Sequence, residues 1–163
     1  MGTGKSTVGQ ALAQRLGRPF IDVDEQIERE TGRPIRKIFA EDGEAEFRHW
    51  EQQMIQRVTQ RDGQVIATGG GAVMNPENLA ALQRHGWLVW LKAEPDVILQ
   101  RVGDIRTRPL LDVGDPRSRV GELLALRQAT YAKAAVMVET SRRSVHDVVE
   151  EIYRQLPDME CRE

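Results

Sequence analysis

The 163-residue chain has 23 Lys and Arg against 25 Asp and Glu, a net charge of −2, and 40% hydrophobic residues. That length suits one domain with a real core, and the balanced charge leaves no basic field for nucleic acid or an anionic membrane surface. The one cysteine, Cys161, excludes an internal disulfide framework, and no apolar run approaches the roughly 20 residues of a membrane span, so a cytoplasmic protein is expected.

The chain opens on MGTGKST. Gly4, Lys5 and Ser6 match the tail of the phosphate-loop pattern G-x-x-x-x-G-K-[ST], whose leading Gly would fall two positions before Met1. Backbone N–H groups of such a loop curve round phosphates at the positive end of the next helix. Lys5 then reaches the β and γ phosphates, and the Ser6 hydroxyl holds Mg²⁺. Gly2, Thr3, Gly4, Lys5, Ser6 and Thr7 form the candidate nucleotide site. The alternative, a chance glycine-rich start, should arise in about one chain of this length in a hundred or fewer. A helix is predicted over 6–16, with Val8, Leu12 and Leu16 at spacings of four.

A strand is predicted over 20–23, and the run FIDVD ends in Asp22 and Asp24, spaced so that both can point the same way where α/β sheets bind ligands. Asp22 could steady the water shell of Mg²⁺, and Asp24 could orient an attacking hydroxyl or accept its proton. The alternative is that one of them simply caps the helix predicted over 24–31. A helix over 44–61 carries Arg48, with Phe47, Trp50 and Met54 toward the core. A guanidinium there suits a carboxylate or phosphate, although most helical arginines are solvated or paired with a nearby Glu.

A strand over 65–67 runs through Thr68 into Gly69, Gly70 and Gly71. Three glycines exceed what a tight turn needs and allow backbone to approach a ligand. A helix over 76–84, a strand over 87–91 and a helix over 95–102 follow, with Gly17, Gly32, Gly63 and Gly86 where helices should stop. The aperiodic stretch GDIRTRPLLDVGDP, residues 103–116, has the composition of a functional loop. Its Arg106 and Arg108 could close over ATP and neutralise a transferring phosphoryl group, or simply be solvated. A helix over 119–134 carries Arg127, followed by a strand over 136–138 and a helix over 144–156. This alternation predicts an α/β fold with a parallel sheet covered by helices.

Taken in order, the phosphate loop, FIDVD, EDGEAEFR, TGGGAV, TRPLL and LRQATY resemble the shikimate kinase family over nearly the whole chain. The Arg of EFR and the triple glycine separate that family from gluconate, adenylate and nucleoside kinases. The resemblance implies one P-loop kinase domain over 1–163 in three α/β/α layers. It also implies ATP- and Mg²⁺-dependent phosphorylation of the 3-hydroxyl of shikimate, on the route to chorismate and the aromatic amino acids, by a monomer without nucleic-acid or membrane partners.

Carried onto matching positions, the resemblance implies that Asp24, Arg48, Gly70 and Arg127 hold shikimate, with Gly69 and Gly71 alongside. Both arginines would take the carboxylate, and Asp24 the hydroxyls beside the attacking oxygen. Lys5 and Arg108 would stabilise the phosphoryl group, Ser6 would ligate Mg²⁺ and Asp22 support it through water. Arg101 and Arg143 match positions near the nucleotide, residues 27–60 the substrate-binding helices, and 103–117 the lid.

Two departures stand out. Where the family commonly reads Arg-x-Pro-Leu-Tyr, this chain has Arg127-Gln128-Ala129-Thr130-Tyr131, which leaves open a changed presentation of Arg127. The family's sheet order, 2-3-1-4-5, also has a central strand before the phosphate loop that this chain lacks. Each buried backbone group left unsatisfied beside an empty slot costs about 1–3 kcal/mol, so a fold different from the relatives' is the expectation. A truncated relative that only binds nucleotide, and a P-loop kinase for another small hydroxy acid, are the alternatives.

Overall fold

A computed structural model describes residues 2–84, 86–103, 110–111 and 114–156. Helix α1 (Lys5–Leu16) starts from Gly4, whose φ of 88° turns the loop into the helix, and stops at Gly17, also left-handed. β1 (Phe20–Asp22) passes directly into α2 (Val23–Thr31), because the Asp22 carboxylate accepts the Asp24 and Glu25 N–H groups and caps the helix. α3 (Ile35–Glu41) and α4 (Gly43–Val58) follow. α3 was not among the predicted elements; seven residues give too short a window for a periodic signal. α4 ends before the predicted 61, and Gly63 lies beyond it, because the Gln64 amide donates to the Val58 and Arg61 carbonyls and closes the last turn.

β2 (Val65–Ala67) leads through a 3-10 turn (Ala72–Met74) to α5 (Pro76–Arg84), β3 (Val89–Lys92) and α6 (Pro95–Val102). α7 (Pro116–Tyr131), β4 (Val136–Glu139) and α8 (Val145–Gln155) complete the described chain. α7 starts three residues before the predicted 119, since Asp115 caps it and Pro116 suits its first turn.

The strands form two parallel pairs. β1 lies beside β2 with Phe20 opposite Val65, and β3 beside β4 with Val89 opposite Val136. These correspond to the 2-3 and 4-5 pairs of the expected order. Between them β2 and β3 border a cavity of about 260 Å³, closed by Val8, Leu12 and Leu16 of α1 and by Ile152 of α8. α1 joins the two halves: it packs on β1, β2 and α8, and its Val8 and Leu12 share a core with Leu91, Val136, Val138 and Ile152. A second core around Ile27, Ile38, Phe47 and Ile55 holds α2, α3 and α4 to the β1–β2 pair, and a third around Ile98, Leu111 and Val120 joins α6 to α7. Among the described residues no helix is long and apolar enough to cross a membrane.

Candidate active site

The N-terminus of α1 opens into a cavity of about 530 Å³, and the six predicted loop residues, Gly2 to Thr7 in sequence, all line it. Gly2 lies so close to α6 that a Cβ there would sit 2.7 Å from the Ile98 carbonyl oxygen. Facing the loop are Arg101 of α6, Arg143 and the apolar side chains of Val145 and Val148. Arg101 is held by two hydrogen bonds to Thr140, one to Oγ1 at 3.0 Å and one to the carbonyl at 2.6 Å. The buried Thr140 hydroxyl in turn lies 3.3 Å from the Thr3 carbonyl, tying the end of β4 to the loop. Arg143 donates to the Asp147 carbonyl at 2.9 Å.

Asp22 caps α2, and its capping leaves the other reading geometrically open. One carboxylate oxygen caps α2, and the other accepts the Ser6 hydroxyl at 2.6 Å. A hydroxyl and a carboxylate so placed fit Mg²⁺, which keeps its waters and needs few protein oxygens. The predicted strand alternation is corrected: β1 stops at Asp22, and Asp24 reaches the same cavity from the first turn of α2.

Next to this cavity, and sharing Asp24, Gly69 and Gly70 with it, is a smaller pocket of about 70 Å³. It brings together Arg48 from α4, Arg127 from α7 and all three glycines. Arg48 pairs with Glu44 at 2.9 Å and Glu51 at 2.7 Å. Burial works against its charge, but the two carboxylates outweigh it and hold the guanidinium above its ordinary pKa.

Glu51 was not foreseen. It is 1% exposed, and its Oε1 has no hydrogen-bond partner among the described residues. Burial pushes its carboxyl above the ordinary range, with Arg48 and Arg127 opposing and Asp24 adding to the rise. The signal was present in α4: Phe47, Glu51, Met54, Ile55 and Val58 follow helical spacing, so a carboxylate occupies the apolar stripe.

The glycines answer to charged neighbours. A Cβ on Gly69 would lie 2.6 Å from Glu51 Oε1, and one on Gly71 would lie 2.5 Å from Arg48 Nη2. α7 runs unbroken through Ala129 to Tyr131 and carries Arg127, only 6% exposed, into the pocket wall. Arg106, Arg108 and most of the predicted lid lie outside the described residues. Of that stretch, Leu110 lines the small pocket and Leu111 is fully buried.

Comparison with known proteins matches residues 1–157 to the shikimate kinase family model. The chain belongs to the shikimate kinase family. The shikimate kinase of Symbiobacterium thermophilum is 47% identical over 161 residues, covering 97% of this chain and 92% of that one. That of Desulforudis audaxviator is 48% identical over 149 residues, 91% and 78% of the two chains. A solved shikimate kinase from Acinetobacter baumannii in complex with shikimate superposes with a TM-score of 0.91 at 39% identity, covering 94% of this chain and 87% of its own. That agreement corrects the expectation of a different fold. The helices and both strand pairs keep the P-loop α/β frame of the shikimate kinase family around the cleft between β2 and β3.

Proposed function

We propose that this member of the shikimate kinase family transfers the γ-phosphoryl group of ATP to the 3-hydroxyl of shikimate, a step toward chorismate and the aromatic amino acids. The observation that carries the proposal is the small pocket. Two guanidinium groups from different helices, Arg48 and Arg127, line one wall system that opens at Gly69 and Gly70 onto the phosphate-loop cavity. Paired guanidinium groups suit the carboxylate of a small hydroxy acid. The orphaned Glu51 Oε1 is an acceptor for one of its hydroxyls.

Asp24 lines both cavities and so stands where an acceptor hydroxyl would meet the terminal phosphate. There it orients the hydroxyl and takes its proton as the oxygen attacks. Lys5 and the loop N–H groups hold the phosphates, with Arg101 and Arg143 along the nucleotide. Ser6 and, through water, Asp22 would hold Mg²⁺, which when bound would supply neutralisation of phosphate charge. The single cysteine, which has no partner for an internal disulfide, fits a cytoplasmic enzyme.

Shikimate-dependent release of ADP from ATP by the purified chain, with shikimate 3-phosphate identified as product, tests the proposal. A folded chain that binds ATP without turning over shikimate would leave only the nucleotide-binding reading. Faster turnover of another hydroxy acid would change the substrate.

A further inference from the structure

A run of three glycines is the most flexible backbone a chain can offer, and holding it in one conformation needs contacts from outside the run. Among the described residues Tyr131 reaches the middle of this one, where its hydroxyl donates to the Gly70 carbonyl at 2.5 Å. The described backbone has no cis peptide bond. In a trans peptide plane, fixing the Gly70 carbonyl fixes the Gly71 N–H in the opposite direction, together with the Gly71 Cα that lies against Arg48.

Tyr131 is itself well held. Its ring centroid is 5.6 Å from that of Trp90, and burial pushes the phenol up from its ordinary value, against a lowering by Arg127, so it remains a donor. It sits four residues after Arg127, on the same face of α7. Near the start of that helix, Arg119 donates to the carbonyl of Leu110, another residue of the small pocket. One rigid helix thus grips the pocket at two backbone points and supplies Arg127 between them.

We propose that Tyr131 is a positioning residue for substrate: through the Gly70 carbonyl it sets the glycine turn in register with Arg127 and Arg48. This rests on the reading of Gly69, Gly70, Gly71 and Arg127 as the shikimate side of the site. The contact lies on the glycine turn and not on the phosphate loop; Gly70 borders both cavities, and the KM for ATP therefore reports whether the effect is confined to the acid side.

Steady-state kinetics of Tyr131→Phe, beside Arg127→Ala, test it. Removing the hydroxyl while keeping the ring should raise KM for shikimate about fivefold, the effect of one hydrogen bond. KM for ATP should stay unchanged, with Tm lowered by no more than about 4 °C. If Arg127→Ala raises KM for shikimate but Tyr131→Phe leaves it unchanged, the positioning role is wrong and the site stands. Proportionate rises in both KM values with a large fall in Tm would mean a structural role only, and overturn the inference. An Arg127→Ala enzyme with unaltered KM for shikimate would overturn the site reading and the inference with it.

Discussion

The two ends of the proposed site are built by different means. The nucleotide end is a contiguous stretch, Gly2 to Thr7 in sequence, whose chemistry comes from backbone N–H groups, a helix terminus and side chains around a wide cavity. The acid end is assembled from α4, α7, the first turn of α2 and the glycine turn, and at its centre is a buried carboxylate against a guanidinium. Function at the first end can therefore be removed with little effect on the fold. At the second, recognition and stability share the same atoms.

Lys5→Ala should give the largest change, a loss of turnover of at least about a hundredfold to a thousandfold with Tm nearly unchanged, read by coupled assay and calorimetry. A large fall in Tm would erase the contrast between the two ends. Arg48→Ala should raise KM for shikimate at least about tenfold and, by leaving Glu51 buried without its partner, lower stability by roughly 2–3 kcal/mol. Denaturant unfolding alongside the kinetics would show both effects, and a change in KM alone would place Arg48 in solvent-like surroundings.

That asymmetry also governs what could be read from the chain. MGTGKST and FIDVD carry their geometry in adjacent residues, and the strand pairs β1–β2 and β3–β4 appear where short apolar runs predict them. Arg48 and Arg127 were recognisable as candidates by type, but nothing local to either reports that α4 and α7 meet. Glu51 was missed because burial, and not residue spacing around a motif, gives it a role; its place in the apolar stripe of α4 was the available sign. The cap at Asp22 was legible, whereas its second bond to Ser6 joins residues 16 apart and needed the fold.

Smaller effects sharpen the comparison. The folded chain holds the Glu51 proton more tightly than the unfolded chain, whose carboxyl titrates near the ordinary 4.5. Stability contributed through Glu51 is therefore greatest below pH 4.5 and declines as pH rises through the raised folded value. Glu51→Gln should flatten that part of the Tm–pH curve, while Asp22→Asn should leave it in place. The smallest expected change is at Gly71: alanine there needs only the far end of Arg48 to shift, so KM for shikimate should rise about threefold, with KM for ATP unchanged.

The central claim is that the acid end recognises a carboxylate through Arg48 and Arg127. Titration calorimetry of shikimate and its methyl ester, on the unaltered chain and on Arg48→Ala, tests it most directly. The ester should bind the unaltered chain at least about tenfold more weakly than shikimate, and the difference should shrink in Arg48→Ala, where Arg127 alone remains. Equal binding of acid and ester by the unaltered chain would contradict the account.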